Sequence, residues 1–308
     1  MKKILVIAAL VSLISIIPAA GEGSPAMPFV LTGRNPISLA TGGGALTTTG
    51  INPYASIEGI ATSALDSAKF AAGVGYQIYS PSFQKSTSIN AGVSFKVASN
   101  LLISASFISQ NGEPYDILTP VGAKVGTFTP KEMMISAGVG YVIGESISLG
   151  AGFHFANQNL TEGFSTSAIC FDAQAAYKAE GLFVAVGVNS LGGSVKSQSG
   201  RTYSLPASAV ISGAYDLGIG ESFAVKPCLK AEYYLTGGFG ASLGAQFSYT
   251  DLAFVRAGYH FGTADAPLPS FASVGLGVKF AGVSLDLAYL LASETLGGSL
   301  LAGLSYSF

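Results

Sequence analysis

The sequence predicts an all-β fold: a transmembrane antiparallel β-barrel of about 14 strands with an N-terminal plug or hatch segment. Three observations predict it. Mean hydropathy is +0.50 and only 10% of the 308 residues are charged, against roughly 25% in ordinary soluble domains. Yet no run of 18 apolar residues follows the first twenty, so the hydropathy is not gathered into helical spans. Instead, apolar residues recur at every second position in one segment after another, and the charges within those segments fall on the other face. A soluble glycine-rich solenoid or sandwich is the competing reading of a chain with 40 glycines.

Residues 1–20 form a leader. Lys2 and Lys3 precede an apolar run from Ile4 to Ile17, and Pro18, Ala19, Ala20 and Gly21 supply small residues for cleavage. This reads as a secretory signal peptide. No cysteine follows it to carry a lipid anchor. Residues 21–66 lack alternation and are rich in turn formers, with Asn35, Pro36, Gly42, Gly43, Gly44, Asn52 and Pro53 as the candidate plug residues. The segment is either a flexible periplasmic arm or a hatch folded into the barrel. Its apolar content (Phe29, Val30, Leu31, Ile51, Tyr54, Ile57, Ile60) favours the hatch, because a free arm should be poorer in such residues.

The barrel occupies residues 67–308. Its first strand is Phe70–Tyr79, with Phe70, Ala72, Val74, Tyr76 and Ile78 on one face. Twelve further alternating segments follow, centred on residues 89–97, 101–107, 133–141, 147–155, 169–177, 182–188, 209–215, 223–233, 239–249, 253–261, 272–280 and 283–289. The last strand, 298–308, places Leu300, Ala302, Leu304, Tyr306 and Phe308 on one face. Its Tyr306 and terminal Phe308 resemble the closing strand of bacterial outer-membrane barrels. Pro227 sits mid-strand on the apolar face, where it removes a ladder donor, so a bulge or bend is expected there.

Parity then assigns the lumen. Lys69, Lys96, His154, Asp172, Lys226, Lys230, Glu232, Arg256, His260, Lys279 and Asp286 all lie opposite the apolar face. A lysine or arginine facing lipid near the midplane would cost about 2–4 kcal/mol. Short connections near Ser99, Gly144, Glu180, Asp251 and Ala281 alternate with longer ones at 110–130, 157–162, 189–206, 262–269 and 293–297. Outer-membrane barrels alternate in this way, with short periplasmic turns and long external loops.

The net charge of −2 and the absence of a basic stripe speak against a nucleic-acid partner. Cys170 and Cys228 fall three strands apart and are expected as free thiols. No catalytic, metal-binding or cofactor-binding spacing stands out. The two histidines lie on distant strands, so no Ser-His-Asp arrangement is expected, and the chain reads as a non-enzyme. Lys226, Lys230, Glu232 and Arg256 read as an ion-pair ladder in a wet lumen, with a hatch or ligand contact as the alternative.

The stretches Ser38 to Ala45, Ala61 to Leu65, Gly75 to Pro81, Leu205-Pro206, Arg256 to Tyr259 and Phe271 to Leu290 resemble the FadL-like barrels, and among them the PorV/PorQ proteins of Bacteroidetes. Where that family has Asn-Pro-Ala before the first strand, this chain reads Ala61-Thr62-Ser63. The PorV/PorQ resemblance implies a protein embedded in outer-membrane lipid and accessory to type IX secretion, with secretion-system proteins or cargo bound at the external loops. The FadL resemblance implies the alternative, passive transport of small hydrophobic compounds. Ile117, Leu118, Val121 and Val125 in the longest loop would then line an apolar pocket.

Overall fold

A computed structural model describes residues 25–31, 33, 35–43, 51–80, 85–291, 293 and 296–308. The leader and Gly44 lie outside the described residues. Strands β1 (Phe70–Tyr79), β2 (Ser86–Ala98) and β3 (Leu101–Gly112) open the wall. A small hairpin of β4 (Tyr115–Leu118) and β5 (Lys124–Phe128) stands in the connection to β6 (Lys131–Ile143). The wall continues through β7 (Ile147–Thr161), β8 (Phe164–Ala179) and β9 (Leu182–Gly192). A second hairpin, β10 (Ser194–Lys196) and β11 (Thr202–Ser204), precedes β12 (Ser208–Tyr215) and β13 (Leu217–Ile219). Then come β14 (Phe223–Tyr234), β15 (Phe239–Tyr249), β16 (Ala253–Gly262), β17 (Phe271–Phe280), β18 (Val283–Leu291) and β19 (Leu300–Ser307).

Every wall strand pairs antiparallel with its neighbours. β1 meets β19 from Ala71↔Ser307 to Ile78↔Leu300, and β12 meets β14, so the sheet closes on itself. Closure satisfies the backbone groups that an open edge would leave bare, which a bilayer interior requires. β12 and β13 share one register on β14, with Ala214↔Cys228 and Leu217↔Val225, and count as one strand; 14 strands therefore form the ring. Leu243 is 61% exposed while its neighbour Ser242 is 3% exposed, and this contrast repeats around the wall. Apolar outside and polar inside is the inverse of a soluble sandwich, which removes the competing reading.

Pro227 acts on its neighbour and not on its own strand. Its register with β15 is unbroken, Pro227↔Ala245. The interruption appears in the adjacent strand, between β12 and β13, where Tyr215 and Asp216 would face it. A ladder without a donor loses its pairing on that side only. The expected bulge in β14 is therefore absent, and the strand starting near Ala209 extends to Ile219.

The connections differ from expectation in one further place. The 157–162 connection is no long loop: β7 and β8 run on as a hairpin that turns at Glu162-Gly163. Several tight turns lie at the opposite end. Glu180-Gly181 and Ala281-Gly282 carry φ values of 48°, 81°, 49° and 83°, the left-handed pair of a type I′ turn that matches strand twist.

The β4–β5 hairpin forms a separate two-stranded sheet, tied to β7 by Tyr115 Oη, which donates to Leu160 O at 2.9 Å. Lys124 Nζ lies 2.6 Å from Asp116 Oδ1, and the Tyr115 and Phe128 rings are 5.6 Å apart. The hydrogen bond from Lys124 holds the Asp116 carboxyl below its ordinary range. That ion pair is intact near neutral pH and is lost only as acid passes below the usual carboxylate pKa. Val121 is 90% exposed at the tip, with Leu118 and Val125 also exposed. Contrary to expectation, none of Ile117, Leu118, Val121 and Val125 lines a cavity inside the barrel.

At the seam, Lys69 N and Phe70 N both donate to Phe308 O, at 2.7 and 3.1 Å, and the Phe70 and Phe308 rings stack at 5.4 Å. Tyr306 joins Phe308 at 5.8 Å between centroids. The two C-terminal aromatics therefore sit where the first and last strands meet.

Candidate functional site

The N-terminal segment runs inside the ring. A 3-10 turn, Pro28–Leu31, packs with Met27 against Ile108, Met134, Val195 and Leu205 at the long-loop end. Helix α1 (Pro36–Ala40) follows, begun by Asn35, whose side chain accepts from Ile37 N at 3.0 Å with Pro36 at the first helical position. That combination is a strong helix start. Helix α2 (Ile60–Ala64) comes just before β1.

Inward-facing glycines seat this segment. On one side α1 touches β16 to β19, where Gly303 faces the Pro36 ring and Gly275 faces Ala40; Gly258, with Gly244 on β15, faces Thr41. On the other, Gly73 and Gly92 face Pro53, Gly138 faces Ser56, and Gly140 and Gly150 face Ile60 and Ala61. The backbone of the segment lies flat on the wall because these positions have no side chain. Serines fix it: Ser56 N donates to Ser104 Oγ at 3.0 Å, Ser148 Oγ to Ala61 O at 2.6 Å, and Gly42 N to Ser273 Oγ at 3.0 Å.

The two Asn-Pro pairs knot the segment to itself. Asn35 Nδ2 donates to Asn52 Oδ1 at 3.3 Å, Asn52 Nδ2 to Glu58 O at 2.9 Å, and Tyr54 N to Asn52 Oδ1 at 2.9 Å. Asn35 N also donates to Glu58 Oε1 at 3.3 Å. Asn52→Leu removes three of these bonds at about 1 kcal/mol each. We expect hydrogen exchange in residues 51–58 to speed up while exchange in the wall strands stays unchanged; equal acceleration in both would show that the knot is not local.

Most of the sequence-selected polar residues find partners. Lys96 Nζ donates to Asp66 O. Lys226 lies 2.8 Å from Asp216 Oδ1 and over the Phe183 ring. Lys230 Nζ is 3.1 Å from Glu232 Oε2, and Glu232 also accepts from Ser208 Oγ at 2.6 Å and Tyr234 Oη at 3.2 Å. Arg256 donates to Asp286 Oδ1 at 2.6 Å and to Gln246 Oε1 at 2.7 Å. His260 Nδ1 is 2.9 Å from Ser242 Oγ, and its ring stacks on Phe271. Cys170 and Cys228 are free and buried.

One grouping was missed. Ser136 Oγ lies 2.8 Å from His154 Nδ1, and His154 Nε2 lies 3.0 Å from Asp172 Oδ2. Ser136 pairs directly with His154 across β6–β7, and Asp172 lies diagonally across β7–β8. The expectation of no Ser-His-Asp contact is corrected. Ser136 is 1% exposed and lies off the lumen cavity that His154 and Asp172 line. Among the described residues, no three His, Cys, Asp or Glu side chains gather as a metal site.

Two cavities flank the knot. The larger, about 140 Å³, lies between the segment and the wall. Its lining combines apolar residues, among them Val30, Leu39, Ile57 and Phe271, with the polar His154, Asp172, Gln174, Asn189, Lys230 and Glu232. The smaller, about 50 Å³, lies beneath Asn35 and Asn52, against Arg256, Lys279 and Asp286. Glu58 borders the first, and its partners Asn35 and Asn52 border the second.

No protein-family model and no curated protein matches the chain. Solved structures do. The Pseudomonas putida toluene transporter TodX is 15% identical, with a TM-score of 0.63 over 89% of this chain and 98% of that one. The Ralstonia pickettii toluene transporter TbuX is 12% identical, with a TM-score of 0.63 over 91% and 99%. A Pseudomonas aeruginosa FadL homologue is 12% identical, with a TM-score of 0.54 over 89% and 95%. At these identities the likeness is one of fold, and the fold is that of the FadL-like barrels.

Proposed function

We propose that the chain is an outer-membrane channel for passive entry of small hydrophobic compounds. The carrying observation is the cavity of about 140 Å³ held between the N-terminal segment and the barrel wall. Its volume suits a single aromatic ring, since an apolar protein cavity of about 150 Å³ accepts benzene. The inverted polarity of the wall fits a bilayer, and TodX and TbuX, whose fold this chain shares, are toluene transporters. The N-terminal segment acts as the plug in this reading, and the Asn35–Asn52–Glu58 knot as the barrier between the two chambers. None of the described neighbours is an enzyme or a secretion component. The PorV/PorQ role draws no support from them or from the described connections, which carry two short hairpins.

Expression of the assembled barrel in a Gram-negative host lacking its own hydrophobic-compound channels should raise the initial, saturable uptake of radiolabelled single-ring aromatics several-fold. Uptake equal to that of the empty-vector host, with heat-modifiable barrel present in the outer membrane, overturns the reading. Co-purification of secretion components would instead favour the accessory role.

A further inference from the structure

We infer that the outer wall holds one acyl chain of a phospholipid from the periplasmic leaflet, in a groove that crosses the seam between the first and last strands. This goes beyond the channel reading above and takes from it only the membrane placement of the wall. The groove measures about 670 Å³ and lies on the outward side of β1, β2, β3 and β6, with β18 and β19 at its short-turn end. Its floor is made of small side chains, Ala72, Ala91 and Ala105, one on each of β1, β2 and β3. Val74, Val93 and Phe107 stand beside them, between 39% and 54% exposed. On the inner side of the same strip Gly73 and Gly92 face Pro53. Strand backbone alone therefore separates the groove from the N-terminal segment there.

The course of the groove selects its occupant. It begins at Val283 and Tyr306, which pair with each other. Tyr306 pairs onward with Ala72, Ala72 with Val93, and Val93 with Ala105. Ile135, paired with Phe107, ends the groove on β6. Counted from the short-turn end, Val283, Tyr306 and Ala72 are the first, second and third residues of their strands, whereas Val93, Ala105 and Ile135 are the fifth or further. The groove thus climbs from the rim into the wall. Five strand-to-strand steps of about 4.8 Å span roughly 24 Å, and strands tilted by about 40° carry that line up by roughly 15 Å. The hydrocarbon core of a bilayer is about 30 Å thick, so the groove crosses one leaflet and stops near the midplane, as an acyl chain does. Tyr306, 43% exposed at its start, marks the headgroup level where such rings collect. Short turns face the periplasm, which makes this the phospholipid leaflet. Within lipid no hydrophobic force favours the groove; a chain seated there gains dispersion contacts on more than one side, which a chain on the convex wall lacks. A second barrel, itself convex, reaches the recessed alanines less well than one slender chain.

The test takes full-length barrel extracted from outer membranes in mild detergent and weighs it by native mass spectrometry. We expect wild-type barrel to retain one phospholipid, and Ala91→Leu combined with Ala105→Leu, which fills the floor, to lower that retention about fivefold. Ala151→Leu, at an exposed alanine of β7 outside the groove, should retain lipid as the wild type does. If the double variant fails to assemble, wild-type barrel in vesicles carrying a phosphatidylethanolamine with a diazirine at the chain end should be labelled chiefly on β3 and β6. Labelling spread evenly around the wall overturns the inference. So does retention that the double variant leaves unchanged, or that Ala151→Leu lowers equally; the channel reading then stands. Retained lipid A in place of phospholipid overturns the choice of leaflet. A dimer that the double variant dissociates shows that a second copy covers the groove and overturns the choice of occupant. Barrel absent from the outer-membrane fraction removes this inference and the channel reading together.

Discussion

Valine at both Gly150 and Gly258 should unseat the N-terminal segment and turn a closed barrel into an open pore. A Cβ at Gly150 would stand 2.9 Å from Ala61 N, and one at Gly258 would stand 2.7 Å from Thr41 Cα. Both contacts are with backbone, which cannot rotate away as a side chain can. Overpacking of this kind costs roughly 1–3 kcal/mol per site, so the pair raises the unseated population roughly 30-fold or more. The wall itself keeps its pairing, because strand hydrogen bonds do not pass through a side chain. Planar-bilayer conductance should rise with the double variant, while Gly218→Val, where a Cβ meets nothing within 4 Å, should behave as the wild type. Unchanged conductance in a correctly migrating double variant would mean that the segment does not close the pore.

Asp286→Ala should strongly destabilise the barrel. Arg256 is 2% exposed and Asp286 4% exposed, and their contact of 2.6 Å is deep in the wall. Removing one partner strands a buried charge and costs about 3–5 kcal/mol. Replacing both, as Arg256→Met with Asp286→Leu, should recover most of that loss, since a well-packed apolar pair is often as stable as the ion pair it replaces. Urea unfolding in lipid vesicles, followed by far-UV circular dichroism, separates the two outcomes. A double variant as unstable as Asp286→Ala would show that the pair is needed for more than charge balance, Gln246 being the next contact to probe.

The wall was legible in the sequence because its signal is local. Alternation around Val74, Leu243 or Leu276 is dictated by the pleat alone, and inward placement of Lys226, Arg256 and Asp286 follows by parity. What escaped was relational. The contact of Ser136, His154 and Asp172 depends on the register of β6 to β8, and a slip of one residue would have turned each side chain to the other face. The effect of Pro227 was assigned to the wrong strand for the same reason: the missing donor was visible, but not the partner it would have served. The hairpin bearing Val121 was mistaken for pocket lining, because an apolar composition does not reveal the direction in which a loop leaves the barrel. In the N-terminal segment, apolar content announced burial, whereas the seats of Thr41 and Ala61 became readable only once Gly258 and Gly150 were known to oppose them.

The segment's two rows of seats also impose an order on assembly. The chain emits α1 before any strand, yet α1 rests on β16 to β19, the final strands to be synthesised. Its resting place therefore does not exist until the cylinder is nearly complete. A helix made before every strand is docked after the last of them, across a sequence separation of more than two hundred residues, such as Gly42 to Ser273. A contact so distant is slow to form, and its lateness leaves the growing wall free to curl and join β1 to β19 before α1 is seated.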